Sequence, residues 1–150
     1  MRRYLAGKAT LALLALALFT TLTPSATAAE CSVAAAAGSW AYSFSGSVFN
    51  AQANTFVPVA TLGVITFDGH GKVTASETEA SPAGTAGVTA TGTYTENADC
   101  TGTVSLKTST NQTVTVNFVA ANNDNEAYLI ITSPGYVMTG TTKRVKFRGI

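Results

Sequence analysis

Residues 87–120, GVTATGTYTENADCTGTVSLKTSTNQTVTVNFVA, contain the pattern that decides the fold. In the run from Gly87 to Glu96, threonine at every second position alternates with small or apolar residues, as in a strand with two different faces. Residues 97–99, Asn-Ala-Asp, are typical of a turn, and a second run extends from Thr101 to Thr108. Another short turn precedes a third run, Gln112 to Ala120. The stretch therefore predicts three antiparallel strands joined by tight turns.

The same pattern extends in both directions along the chain. Further strands are predicted at Ser39–Phe49, Val57–Phe67, Lys72–Glu79, Glu126–Thr132 and Tyr136–Phe147. Residues 68–71, Asp-Gly-His-Gly, predict a hairpin, because Asp-Gly supplies the positive φ that tight hairpins need. Only residues 32–37 leave room for a short helix.

Eight consecutive strands joined by short turns predict an all-β domain, and closing them into one antiparallel up-and-down barrel removes exposed sheet edges. A sandwich of two sheets is the alternative, but the longer crossing connections that it uses are missing. A membrane-spanning barrel is a second alternative. The predicted faces are rich in Thr, Ser and Ala, however, where such a barrel needs a continuous apolar band.

The first 28 residues have the composition of a cleavable secretory signal peptide. Three basic residues, Arg2, Arg3 and Lys8, precede the apolar stretch of residues 11–19, LALLALALF. Residues 26–28, Ala-Thr-Ala, form a small-x-small cleavage site, and the alternative is an uncleaved anchor. We expect a secreted or periplasmic protein with residues 1–28 removed and a β-barrel domain at residues 29–150. We expect no transmembrane segment in the mature chain.

Removal of the leader changes the net charge. The whole chain has 9 Lys+Arg and 8 Asp+Glu and a net charge of +1; without the leader six basic and eight acidic residues remain, giving −2. Four of those six basic residues lie after residue 142. Nucleic-acid binding needs a basic surface that releases counterions, so we expect no nucleic-acid partner.

Both cysteines lie in the predicted mature chain. An even pair in an exported protein predicts one disulfide, Cys31–Cys100, which would tie the start of the domain to a turn in its middle. Two free thiols, or a cysteine nucleophile, are the alternative. The single histidine, His70, lies in a predicted hairpin turn, far in sequence from both cysteines.

One predicted strand carries an aromatic face, with Trp40, Tyr42 and Phe44 at alternate positions. Such residues either fill a barrel or line a ligand pocket, where they supply apolar contact and a polar handle. Small residues at Gly46, Ala90 and Gly92 would leave room beside them if they point inward.

Carboxylates are the second group of candidates. Glu77 and Glu79 share one face of their strand, Glu96 shares a face with Tyr94, and Glu126 shares a face with Tyr128. In an apolar lumen such a group has a raised pKa and can act as an acid or base. Positions near strand ends favour outward or rim placement. The candidate ligand-binding residues are Trp40, Tyr42, Phe44, Tyr94, Glu96 and Tyr128.

No motif for a metal, a cofactor or a known catalytic site is present. One histidine cannot form a histidine-based zinc site, and no glycine-rich loop joins a strand to a helix for phosphate binding. We therefore assign no catalytic residue, no metal and no cofactor.

Several segments together resemble a group of small secreted bacterial proteins with an allene oxide cyclase barrel-like fold. They are Cys31 with residues 38–40, the 67–71 hairpin, residues 92–94 leading to residues 100–103, and residues 140–144. The resemblance implies a calycin-like barrel whose lumen holds a small apolar molecule. Its plant relatives, the allene oxide cyclases and dirigent proteins, direct the cyclisation or coupling of reactive intermediates. No motif here matches their functional residues, so none is carried over.

Three classes of function remain. The first is a carrier of a small apolar ligand, which the sequence favours. The second is a cyclase-type enzyme, and the third is a structural or surface-interaction barrel. A protein of any of these classes can form an oligomer. The volume and lining of the barrel interior distinguish these classes.

Overall fold

The computed structural model describes residues 31–146, and in this range the chain is all β, without a helix. The strands are β1 (Gly38–Asn50), β2 (Thr55–Phe67), β3 (Lys72–Ser81), β4 (Gly84–Glu96), β5 (Thr101–Thr108), β6 (Thr113–Ala121), β7 (Glu126–Ile131) and β8 (Tyr136–Arg144). Each strand pairs antiparallel with the next, and β8 pairs with β1. The predicted eight-stranded up-and-down barrel is confirmed, and the closed sheet excludes the two-sheet sandwich.

The main difference in strand boundaries lies between β3 and β4. The two strands continue until Ser81 pairs with Gly84, which leaves only Pro82 and Ala83 in the turn. Gly84 has a φ of +126°, a value that L-residues rarely adopt, and this allows the short connection. The possible helix at residues 32–37 is a single turn, in which the Ala36 N–H donates to the Ser32 carbonyl at 3.1 Å.

Alternation along each strand separates the interior from the outer surface. In β4, Val88, Ala90 and Tyr94 are buried, whereas the threonines between them are exposed. The same separation holds in β3, where Val73 and Ala75 are buried. The outer surface of this half of the barrel is therefore covered mainly with hydroxyl groups.

Residues 31–37, which we call the plug, close one end of the barrel. The Cys31–Cys100 disulfide confirms the predicted pairing and ties the plug to the β4–β5 turn, with the two Cα atoms 5.0 Å apart. The Trp40 indole N–H donates to the Ala36 carbonyl at 2.9 Å, and the Tyr94 hydroxyl donates to the Val33 carbonyl at 2.7 Å. These links fix the plug over the closed end.

Aromatic side chains pack beneath the plug. The Phe67 ring lies 6.3 Å from the Trp40 ring and 4.6 Å from the Tyr94 ring, both in edge-to-face geometry. Trp40 and Tyr94 are each only 3% exposed. The closed end is thus filled by packed aromatic side chains, while the opposite end, which we call the open end, is not plugged.

Inward-facing glycines serve the curvature of the barrel. A Cβ atom on Gly92 would collide with the Ser105 carbonyl, and one on Gly46 with the Val137 carbonyl. These glycines allow neighbouring backbones to approach closely at bends. The expectation that they leave room for a ligand is wrong at these two positions, because the neighbouring strand already occupies that space.

The predicted signal peptide, residues 1–28, lies outside the described residues, as do residues 147–150, including the predicted end of the last strand at Phe147. No helix within residues 31–146 is long and apolar enough to cross a membrane.

Candidate functional site

A cavity of about 280 Å³ runs through the barrel from the open end towards the plug. Inward side chains from all eight strands line it, because every strand presents one face to the interior. Most of the wall is apolar and includes Ala75, Val88, Ala90, Leu106, Val116, Phe118, Leu129 and Met138. This volume lies near the lower end of the roughly 300–1,000 Å³ typical of small-molecule sites.

Polar side chains lie towards the open end. The Tyr42 hydroxyl donates to Glu77 Oε2 at 2.7 Å, and the Tyr136 hydroxyl donates to Gln112 Oε1 at 3.0 Å. Burial raises the pKa of Glu77; the charge of Glu79 adds to this effect, and the hydrogen bond from Tyr42 opposes it. Burial, together with the adjacent Glu77, also raises the pKa of Tyr42.

Two further carboxylates form the inner end of the cavity, which we call the floor. Glu96 ends β4 and is 9% exposed, and Asp124 lies in the β6–β7 turn and is 7% exposed. Within residues 31–146, neither oxygen of Glu96 has a hydrogen-bond partner, and Asp124 Oδ2 also has none. Burial and repulsion from Asp124 raise the pKa of Glu96 to about 7, against the opposing effect of Arg144.

Arg144 is the cation beside the floor, but its donors are directed to backbone carbonyls. Its guanidinium donates to the carbonyls of Ala37, Ala35 and Asp124, the last at 3.1 Å. It also lies over the Trp40 ring, 4.4 Å from the centroid. Its Nη2 remains 3.7 Å from Asp124 Oδ2, beyond hydrogen-bond distance. Arg144 therefore holds the plug and only partly compensates the floor carboxylates.

The structure brings together four of the six candidate site residues. Trp40, Tyr42, Phe44 and Glu96 all line the cavity. Tyr94 points inward but lies below the cavity, where its hydroxyl holds the plug. Tyr128 lies on the outer surface, 65% exposed, so its placement with the lumen residues is wrong. Tyr128 shares its face of β7 with Glu126, whereas Ala127, Leu129 and Ile131 form the other face. The charged residue was a usable indication that Tyr128 points outward.

The expected outward or rim placement does not hold for all of the candidate carboxylates. Glu77 and Glu96 line the interior of the cavity, so that interpretation is wrong for these two, whereas Glu79 lines the cavity near the open end. The interpretation is correct for Glu126, which forms an outer-surface ion pair with Lys143 at 2.8 Å.

Three further groups at the site were not among the residues predicted from the sequence. Asp124, Tyr136 and Gln112 also line the cavity. Asp124 lies in a turn, where alternation says nothing about direction. Tyr136 is the first residue of β8 and lies on the same face of the strand as the buried Met138. This shared face was a usable indication that its side chain points inward.

The remaining chemical candidate, His70, lies away from the cavity. It is exposed in the β2–β3 turn, and its backbone N–H donates to Asp68 Oδ1 at 2.7 Å. Among residues 31–146, no three His, Cys, Asp or Glu side chains are arranged to hold a metal ion.

Comparison with known proteins supports the fold. No family model and no curated protein sequence matches the chain. One similar solved structure is a de novo designed fluorescence-activating β-barrel, with a TM-score of 0.51 and 12% sequence identity. The match covers 73% of this chain and 93% of that chain. At this identity the similarity concerns the barrel fold alone, and no family match supports the allene oxide cyclase-like assignment.

Proposed function

We propose that this protein binds a small, predominantly apolar molecule inside the barrel. The observation that carries the proposal is the cavity of about 280 Å³, with apolar walls, one open end and one end closed by the plug. A barrel with a purely structural or surface-interaction role has no need of such a space and is expected to fill its interior with side chains.

The aromatic face of β1 would form the most specific part of this site. The Tyr42 and Phe44 rings are 5.8 Å apart in edge-to-face geometry, and both line the cavity with Trp40. Large aromatic side chains contribute much contact area at low entropic cost. Glu96 adds a polar contact at the floor, while Tyr94 and Tyr128 are excluded from the proposed site by their positions.

The proposed setting is outside the cytoplasm, as a secreted or periplasmic protein. The Cys31–Cys100 disulfide is compatible with an oxidising compartment, and residues 1–28 have signal-peptide composition. Membership of the allene oxide cyclase barrel-like family is proposed from the sequence resemblance. Cleavage after residue 28 predicts a mature protein that starts at Ala29, and cleavage one residue later predicts a start at Glu30. Mass determination of the exported chain tests this.

The binding proposal is tested with N-phenyl-1-naphthylamine, a neutral dye whose fluorescence rises in apolar surroundings. We expect saturable fluorescence with the wild-type protein and its loss in Ala90→Phe, because Ala90 lines the cavity. The matched control is Thr91→Phe, which places the same ring on the outer surface of the same strand. If both variants bind the dye like the wild type, the dye does not occupy the cavity and the proposal fails.

A cyclase-type enzyme is the second candidate, and Glu96 is the observation that favours it. A cavity carboxyl with a pKa of about 7 is suited to acid–base catalysis near neutral pH. The test compares the products formed from a reactive epoxide by the wild type and by Glu96→Gln. The same product distribution with and without the wild-type protein would exclude this activity for that substrate.

A further inference from the structure

The floor carboxylates receive few hydrogen bonds from the part of the chain that the structure describes. Within residues 31–146, both oxygens of Glu96 and Oδ2 of Asp124 have no hydrogen-bond partner, although both side chains are more than nine-tenths buried. Buried carboxylates are normally satisfied by several donors, and leaving them unpaired is costly. Three acceptor atoms are thus concentrated at one place that is reached through the cavity.

The protein supplies little positive charge to this place. Four carboxylates line the cavity, and no described lysine, arginine or histidine lines it with them. Arg144 lies beside the floor, but its donors are already bonded to the carbonyls of Ala35, Ala37 and Asp124. A ligand cation at the floor would therefore meet two carboxylates that share one guanidinium among the described residues.

The polar floor is separated from the polar open end by apolar wall. Glu77 pairs with Val88 in the β3–β4 register, and Glu96 lies eight residues farther along β4. At about 3.3 Å per residue, this is about 26 Å along the strand. The lining between them includes Ala90, Val104 and Val116. A molecule that reaches the floor therefore has an apolar body and a polar end.

We propose that the ligand is a primary amine with a slender apolar body, and that its ammonium group binds at the floor between Glu96 and Asp124. This inference rests on the proposed ligand-binding function and specifies its ligand class. An ammonium group has three N–H donors and no acceptor, which matches three unpaired carboxylate oxygens. Charge-assisted hydrogen bonds of this kind are the strong ones. The cavity of about 280 Å³ limits the body to a narrow alkyl or aryl chain.

The electrostatics of the floor support the same ligand. Burial and repulsion from Asp124 raise the pKa of Glu96, and Arg144 opposes this only in part. A bound cation would favour the ionised form of Glu96 and so lower its pKa. A carboxylate ligand would meet like charge and bind least well.

The first test uses the wild-type protein and displacement of N-phenyl-1-naphthylamine at about pH 8. The competitors are octylamine, octan-1-ol, octyltrimethylammonium and octanoate, which share a chain and differ in the head group. We expect octylamine to bind at least about tenfold more tightly than octan-1-ol, with octyltrimethylammonium weaker than octylamine and octanoate weakest. Equal displacement by amine and alcohol would overturn the amine proposal while leaving ligand binding intact. Absence of dye binding would defeat the proposed function itself.

The second test locates the ammonium group. We expect Glu96→Gln to remove most of the preference for octylamine over octan-1-ol while octan-1-ol still binds. Glu126→Gln is the matched control, because it makes the same chemical change on the outer surface. Asp124→Asn serves as a second floor variant if Glu96→Gln does not fold. Loss of the preference in Glu79→Gln, but in neither floor variant, would move the amine to the open end and refute the proposed position.

Discussion

Replacing Glu96 with glutamine is expected to remove much of the pH dependence of folding stability between about pH 4.5 and pH 7. Burial, with repulsion from Asp124, raises the pKa of Glu96 from 4.5 to about 7 in the folded protein, against the attraction of Arg144. Between these two values the folded state holds a proton that the unfolded state has released. The free energy of unfolding therefore falls as the pH rises through this window.

The size of the effect follows from the pKa shift. At about 1.4 kcal/mol per unit, the difference between 4.5 and about 7 sets an upper limit of about 3–4 kcal/mol. The cavity opens to solvent, and screening reduces this to about 1–3 kcal/mol. Glutamine has nearly the same shape and no charge. The variant should therefore match the wild type at about pH 4 and exceed its stability by about 1–3 kcal/mol at about pH 8.

The assay is urea unfolding of the disulfide-bonded protein across this pH range, followed by the fluorescence of the single tryptophan, Trp40. Trp40 is 3% exposed and contacts Arg144, so its emission should change on unfolding. Glu126→Gln controls for the loss of a carboxylate on the outer surface. Parallel pH profiles for Glu96→Gln and the wild type would refute the reasoning, as would a wild-type stability that rises between pH 4.5 and pH 7.

Three further predictions follow from the packing and hydrogen bonds. Gly92→Ala should destabilise the barrel by about 1–3 kcal/mol in urea unfolding, because its Cβ meets the Ser105 carbonyl. Gly87→Ala, which has open space, should cost nothing, and equal losses would contradict the clash. Reducing the disulfide, whose cysteines are 69 residues apart, should lower the free energy of unfolding by about 4 kcal/mol in the same assay, and a loss under about 1 kcal/mol would contradict this. Tyr42→Phe should raise the pKa of Glu77 further in a carboxyl NMR titration, since it removes the opposing hydrogen bond, and a fall would contradict it.

The strands and turns were predictable because their pattern is local. Asp-Gly at residues 68–69 and the alternating threonines of β4 fix a turn and a strand within a few residues of chain. Eight such strands with short connections leave few topologies, and the disulfide followed from an even pair of cysteines in a chain whose first 28 residues predict an export leader. These features require no knowledge of distant contacts.

The floor of the cavity was not predictable in the same way. Its two carboxylates come from the end of β4 and from a turn, and the adjacent Arg144 comes from the end of β8; only closure of the barrel brings the three groups together. Glu96 was a candidate on its own. Nothing in the sequence indicated that Asp124 would lie beside it, or that Arg144 would bond to carbonyls of the plug.

The use of Arg144 explains how an unfavourable floor can persist. If its guanidinium turned to pair with Glu96 and Asp124, the carbonyls of Ala35 and Ala37 would lose their donor. The plug is also held by the disulfide and by Trp40, which donates to the Ala36 carbonyl. These contacts hold the closed end together even though the negative charges of Glu96 and Asp124 are not neutralised. The fold thus keeps the charged floor at a cost in stability, and a cation that enters through the cavity can offset that cost. On this reasoning the ligand that binds best is also the ligand that most raises the folding stability at neutral pH.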